Sequence, residues 1–280
     1  MKPDTYLSIT TQIGCPVQCL KYCPQELITA SYKGDRVMTL ATFKEFMQTV
    51  PPTLPLYVGG FSEPLQNREA IGMMEWATER GHPIRLFTTM VGVKAKDIDR
   101  LCAIPYDMFV LHLPDPHGIA HIPLTDEYLH NLGQIMTRVK KLRFMNMGID
   151  FVTNHREDVA RGSWTGPKFH NKRTCVFMEA PRYEILPNGE MYFCCECSCL
   201  SMRIGSIYEN TYQELAAKHK ALSVMYRNDP ASICQSCCLS EPYWRRRLSL
   251  ALSDTKERIT GGKMIKEIPP VSWIWGRVFA

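Results

Sequence analysis

The sequence has no uninterrupted apolar run near the roughly 18 residues that a spanning helix needs, so no membrane association is expected. Its first residues, Met1-Lys2-Pro3-Asp4-Thr5, lack the apolar core of an export signal, and a cytoplasmic location is the expectation. It lacks a dominant charge as well. Thirty-three Lys and Arg against 28 Asp and Glu leave a net +5, too little for a nucleic-acid partner to be expected, though compatible with a polyanionic one. The low-hydrophobicity, high-charge signature of disorder is also missing, since 45% of the 280 residues are hydrophobic and 22% charged. What the chain has in excess is cysteine, twelve in all. In a reducing compartment, clustered cysteines point to metal rather than to disulfides.

The cysteines fall into three groups and an orphan. Cys15, Cys19 and Cys23 lie at the start, and Cys102 stands alone. Cys175 precedes Cys194, Cys195, Cys197 and Cys199, and Cys234, Cys237 and Cys238 close the set. Around them the pattern alternates strands and helices. Strands are expected at 5–11, 56–58, 84–87, 108–113 and 145–152. Helices are expected at 42–50, 67–80 (Asn67 as N-cap), 94–102 and 125–142, the last with Leu129, Leu132, Ile135, Met136 and Val139 on one face. Such alternation predicts βα units and a parallel sheet. The pattern breaks in the glycine-, proline- and charge-bearing stretch 154–173. Beyond it, Pro187-Asn188-Gly189 between alternating segments 183–186 and 190–193 predicts a hairpin, and 211–226 a helix. The tail from 241 holds Arg245-Arg246-Arg247 and ends near Trp273-Ile274-Trp275, read as a solvated basic face and an apolar patch packing on the body. The expected units are 1–173, 174–240 and 241–280.

Three thiolates spread over two short turns can hold three irons of a four-iron cubane, leaving one iron open; a zinc site is the alternative. The stretch Ile13-Gly14-Cys15-Pro16-Val17-Gln18-Cys19-Leu20-Lys21-Tyr22-Cys23-Pro24 follows the first expected strand. It resembles the cluster loop of the radical S-adenosylmethionine (SAM) superfamily, with an aromatic residue before the third cysteine. The family pattern is Cys-x3-Cys-x2-Cys, whereas here the second gap is one residue longer. Tyr57-Val58-Gly59-Gly60-Phe61-Ser62-Glu63-Pro64 is similar to the family's glycine-rich motif for the SAM amino group. Glycines there let the backbone approach the methionine moiety, and the Glu63 carboxylate can accept from its ammonium. Phe87-Thr88-Thr89 ends the third strand, where the family often has a Thr-Asn pair near the ribose. All three motifs fall at the carboxyl ends of expected strands, where parallel barrels place their active sites.

Cys175-x13-Gly189-x4-Cys194 followed by Cys234-x2-Cys237 resembles the auxiliary-cluster module of the SPASM/Twitch subfamily. No cysteine follows Cys238, which fits the shorter Twitch form, with one auxiliary cluster on Cys175, Cys194, Cys234 and Cys237. The layout is most similar to that of Twitch-type 2-deoxy-scyllo-inosamine dehydrogenases. A four-thiolate zinc ribbon on Cys194, Cys197, Cys234 and Cys237 is the rival. Cys197 is also the natural substitute ligand, and Cys102 reads as a buried small hydrophobe.

The resemblance implies an α/β fold: a partial (β/α) TIM-like barrel of parallel strands with a small cysteine-rich β-hairpin/helix (Twitch-like) module. It implies two [4Fe–4S] clusters, one binding SAM and one auxiliary, and an electron donor such as flavodoxin or ferredoxin. Cys15, Cys19 and Cys23 would hold the first cluster, with Tyr22, Gly59, Gly60, Glu63, Thr88 and Thr89 around the SAM. The activity implied is reductive cleavage of SAM and hydrogen abstraction from a C–H bond, as in an oxidoreductase. For the substrate side, His112, Asp115, Asp150, Arg156, Arg161 and Trp164 are candidates, and Ala160-Arg161-Gly162-Ser163 loosely resembles the Ser-Arg-Ala-Gly stretch of relatives. His112 suits proton transfer, and Arg161, always protonated, suits a clamp on an anionic or hydroxylated group. With a barrel expected from about residue 5, no leader-peptide domain is expected, which favours a small polar metabolite over a peptide. A peptide or protein modification enzyme, and outside enzymes a zinc-stabilised binding protein, are the alternatives.

Overall fold

The computed structural model describes residues 5–19, 23–114, 120–146, 173–195, 197–229, 232–235, 237 and 240–248. Its centre is a mixed sheet of eight strands in the order β5-β4-β3-β2-β1-β7-β8-β9. Strands β1 (Tyr6–Ile9), β2 (Leu56–Val58), β3 (Ile84–Thr88), β4 (Met108–Leu113) and β5 (Leu142–Asn146) run parallel to one another. β7 (Arg182–Ile185) joins the other side of β1, also parallel, with Leu7 opposite Tyr183 and Ile9 opposite Ile185. β8 (Glu190–Tyr192) and β9 (Arg203–Ser206) then continue antiparallel. The hairpin of the cysteine-rich region is thus an edgewise extension of the parallel sheet.

β1 is buried along its whole length because it has neighbours on both edges and cover on both faces. Leu7, Ile9, Leu56, Val58, Ile84, Leu86, Phe109 and Leu111 form the core layer under the helices. Helix α1 (Gln25–Ser31) follows the first cysteine loop, and α2 (Leu40–Phe46) is capped by Thr39, whose hydroxyl accepts from Thr42 N. Helix α3 (Ala70–Glu79) buries Ala70, Ile71, Met73, Met74 and Ala77, and stops where Gly81 takes a φ of 94°. Helices α4 (Ile98–Ala103) and α5 (Asp126–Arg138) precede β4 and β5. In the last region, α6 (Val176–Glu179) follows the two-residue strand β6 (Arg173–Thr174). α7 (Tyr212–Asn228) opens with a capping box of Thr211 and Glu214. β6 pairs antiparallel with β10 (Glu241–Pro242).

Several expectations shift. α1 had no apolar period to announce it, since its seven residues bury Ile28 alone. α2 starts two residues earlier than expected and ends in a 3-10 turn at Met47–Thr49. Asn67 does not cap α3 directly. Its side-chain NH2 donates to Thr11 O (2.9 Å) and Met38 O (2.8 Å), stitching two loops, while a 3-10 turn at Pro64–Gln66 precedes the helix. α5 ends at Arg138, and its buried face is Tyr128, Asn131 and Ile135, leaving Leu129 and Met136 each 49% exposed. The strand expected at 145–152 begins at Leu142 instead, as pairing with β4 extends it back into the residues read as helix; residues 147–152 lie outside the described set. Cys102 is half-buried against the core. Arg246 of the basic run pairs with Glu179 at 2.9 Å, so that part of the tail docks on α6 rather than only facing solvent. No helix among the described residues is long and apolar enough to cross a membrane.

Candidate active site

The segments that leave the carboxyl ends of β1, β2 and β3 are bonded to one another, and the first cysteine loop follows β1 there. Past Ile9 the chain passes Thr10 and Thr11, turns at Gly14 (φ 95°) and Gln18 (φ 44°), and closes with Cys23 N donating to Cys19 O at 3.1 Å. Cys15 and Cys19 pack against Val17, Val91 and Ala120. Gln25 Nε2 donates to Cys23 Sγ (3.1 Å) and to Phe61 O (2.5 Å), tying the loop to the end of β2. Burial pushes the Cys15 thiol up to about 11. The neighbouring Cys23 and Glu63 push the same way, while N–H groups of Val17 and Glu63 pull against them.

The glycine motif sits where Gly59 N donates to Ile9 O (3.1 Å). Gly60 has a φ of 70°, and a Cβ there would collide with Glu184 Oε1 and Thr10 Oγ1. Thr10 Oγ1 accepts from Phe61 N (2.9 Å) and donates to Glu184 Oε1 (2.5 Å). Glu184, on β7 and fully buried, therefore braces the motif from across the sheet. Neither Thr10 nor Glu184 has a sequence signal; only the parallel pairing of β1 with β7 brings them together.

Glu63 is 4% exposed and saturated. Its Oε1 accepts from Thr88 Oγ1 (2.6 Å) and Leu65 N (3.1 Å), and its Oε2 from Thr89 N (2.7 Å) and Thr89 Oγ1 (2.6 Å). Burial raises its carboxyl pKa, with these four bonds pulling against it. A carboxylate has about four acceptor positions, so here all are turned inward. Glu63, Thr88 and Thr89, three separate sequence candidates, form one network. Tyr128 Oη extends it by donating to Thr89 O at 3.1 Å.

One face of the sheet carries a row of rings: Tyr6 to Tyr57 at 5.0 Å, Tyr57 to Phe87 at 4.0 Å, and Phe87 to His112 at 6.1 Å. Tyr57 and Phe87 stay half-buried although they lie on interior strands, so this face is not packed shut. His112 Nε2 is buried without a hydrogen-bond partner, and burial lowers the imidazole to about 4, keeping it neutral. Tyr22, Asp115, Asp150, Arg156, Arg161 and Trp164 lie outside the described residues, as does Cys238.

The later cysteines meet through tertiary structure. The β6–β10 pairing brings Cys175 beside the 232–240 segment, where burial and the nearby Cys234 push the Cys175 thiol up to about 12. Burial raises Cys234 as well, and the charge of Cys237 reaches Arg173. Cys194 bridges to Arg182 beside β7, and Cys175, Cys194 and Cys234 all pack on the main core. Cys195, Cys197 and Cys199 follow on the same loop.

Among the described residues no three His, Cys, Asp or Glu side chains converge on one point as a metal's ligands would. The donor chemistry fits iron nonetheless. The first loop offers three thiols within nine residues, with N–H groups aimed at sulfur, and the charge of the nearby Cys23 adds to the cost of ionising Cys15. Cys175 and Cys234 stand in the same relation.

Known structures share the fold of this chain, a largely parallel sheet with helices between its strands. BtrN in complex with AdoMet and 2-DOIA aligns with a TM-score of 0.61 at 15% identity, covering 80% of this chain and 87% of that one. BtrN in an open conformation gives 0.58 at 13%, covering 86% and 97%. Native anSMEcpe with bound AdoMet gives 0.52 at 13%, covering 84% and 86%. No protein-family model and no curated protein sequence matches the chain.

Proposed function

We propose that this protein is a radical SAM enzyme that oxidises or rearranges a small polar metabolite. The observation that carries the reading is the loop of Cys15, Cys19 and Cys23 at the carboxyl ends of β1–β3, bonded to the glycine turn through Gln25 and Phe61 O. In this reading Cys15, Cys19 and Cys23 hold a [4Fe–4S] cluster with one open iron, and Cys175, Cys194, Cys234 and Cys237 hold an auxiliary one. When bound, the first cluster supplies the electron and the chelating iron for reductive cleavage of SAM to the 5′-deoxyadenosyl radical, which takes hydrogen from a substrate C–H bond. Gly59 and Gly60 let the backbone approach the SAM methionine. Glu63 holds Thr88 and Thr89 in place beside it, and Tyr22 would be a further contact to SAM.

The row Tyr57–Phe87–His112 lines the substrate face. Neutral His112 would take the proton that leaves on oxidation, and Arg161 would clamp an anionic or hydroxylated group. Cys175, Cys194, Cys234 and Cys237 together would leave no iron of a second cluster open, so such a cluster would supply electron transfer rather than a chelating site. Likeness to BtrN, crystallised with AdoMet and 2-DOIA, supports a dehydrogenase acting on a cyclic polar molecule. A peptide as substrate is the second reading, favoured by the likeness to anSMEcpe, also solved with AdoMet and the Kp18Cys peptide.

The test is anaerobic reconstitution with iron and sulfide. The expected product is brown protein with roughly eight irons per chain that makes 5′-deoxyadenosine from SAM under dithionite or reduced flavodoxin. Colourless protein holding zinc would sink the reading in favour of a binding protein. Retention of 5′-deoxyadenosine formation after replacing Cys15, Cys19 and Cys23 by Ala would move the site elsewhere.

A further inference from the structure

Cys199 belongs to neither cluster set and Cys197 enters only as the substitute ligand, yet the loop between β8 and β9 holds their sulfurs together. The two Sγ atoms lie 3.9 Å apart, and Ser201 Oγ sits 3.4 Å from one and 3.1 Å from the other. Two successive turns set this up, with Cys197 N donating to Cys194 O (3.1 Å) and Leu200 N to Cys197 O (3.0 Å). The second turn leaves Leu200 in the left-handed region at φ 53°, a conformation that side-chain-bearing residues avoid. Such strain persists only where the surroundings impose it, and here it swings Ser201 back onto both sulfurs. The pair is also unequal in access. Cys197 is 3% exposed, while Cys199 is half-buried.

We propose that Cys197 and Cys199 form a reversible dithiol–disulfide switch that exchanges with low-molecular-weight disulfides of the glutathione type. Cys199, the accessible partner, attacks the external disulfide as thiolate, forming a mixed disulfide and expelling one thiolate. Cys197 then loses its proton and attacks Cys199 Sγ, closing the Cys197–Cys199 bond and expelling the second thiolate. The chain gives up two electrons and two protons, and the external disulfide becomes two thiols. Closure asks the sulfurs to move from 3.9 Å to the bonded distance of about 2.05 Å, a side-chain rotation within the loop. The switch stands apart from the proposed catalysis. Only its consequence, a stiffer segment carrying Cys194, rests on the auxiliary-cluster reading.

The experiment treats anaerobically reconstituted protein with graded oxidised glutathione, denatures it in N-ethylmaleimide, and reads the tryptic peptide 183–203, which contains Cys194, Cys195, Cys197 and Cys199. The expected result is a peptide that gains two alkyl groups instead of four, with fragment ions linking Cys197 to Cys199, and a return to four after dithiothreitol. Cys197→Ser should instead accumulate a glutathione adduct on Cys199, and Cys199→Ser should carry no adduct at Cys197. Four alkyl groups in the wild type at every glutathione ratio overturn the proposal, as does a linkage involving Cys194 or Cys195. Loss of about half the iron in either serine variant, measured before oxidation, also overturns it, because the residue would then be a cluster ligand.

Discussion

Thr89 binds Glu63 twice, its backbone N–H and its hydroxyl both donating to Oε2, at 2.7 and 2.6 Å. This contact fastens the end of β3 to the segment after the glycine turn of β2, so Glu63 acts on any ligand of that turn through the backbone it organises. Glu63→Ala should strand buried donors on Thr88, Thr89 and Leu65 and cost about 1–3 kcal/mol of stability even without SAM. Thr89→Val, which removes one of the four bonds, should cost about 1 kcal/mol. Chemical denaturation of the SAM-free protein checks both. A Glu63→Ala protein of unchanged stability with weakened SAM binding would mean that the carboxylate contacts SAM directly.

Gly60 makes a sharper case, because backbone and space agree. Its φ of 70° and the nearness of Glu184 and Thr10 leave no room for a methyl group. Gly60→Ala should destabilise by about 1–3 kcal/mol and weaken SAM binding, measured by equilibrium dialysis. Combining it with Thr10→Ala, which clears one of the two obstructing oxygens, should recover part of the stability loss but not the part due to φ.

Loss of the second cysteine set should separate the two proposed clusters. Cys234→Ala/Cys237→Ala should keep roughly four irons per chain and still form 5′-deoxyadenosine while yielding no oxidised product. Circular dichroism must show the sheet intact, since a metal-bound segment can unfold without its metal. Full turnover in a folded variant would make the second site a structural staple.

Acid should weaken the fold through its buried histidines. His112 and His219 are both lowered from 6.5 to about 4 by burial. A depressed histidine stays neutral in the folded protein, while the unfolded chain takes up its proton below about 6.5. Stability therefore falls as pH drops from about 6.5 towards 4, with each group contributing a slope of up to about 1.4 kcal/mol per pH unit. Urea midpoints across that range should slope less in His219→Phe, whose ring would keep the stack on Phe193. An unchanged slope would mean that His219 is solvated.

The candidate site's residues stood out along the chain. Cys15, Cys19 and Cys23 lie within nine residues, Gly59-Gly60 follows a strand, and Asn188-Gly189 forms the expected turn between β7 and β8, so local spacing alone could announce each. Alternation likewise located β1 to β4, because half of each strand must face a core. α1 and the true start of β5 were not legible. A short helix with one buried residue has no period to detect, and Leu142–Phe144 took its conformation from pairing with β4 rather than from its own preference.

The sequence by itself determined where the clustered thiols lie and in what order the strands follow, because both depend on neighbours a few residues away. Only the tertiary structure decided what those residues do for one another. Parallel pairing of β7 with β1 sets Glu184 against Thr10 and Gly60, 174 residues from Thr10 along the chain. The same folding turns the Glu63 carboxylate onto Thr88 and Thr89, and the β6–β10 ladder carries Cys175 to Cys234. Burial then sets how each buried group ionises, because the cost of a charge depends on every atom packed around it, and no stretch of sequence holds that information.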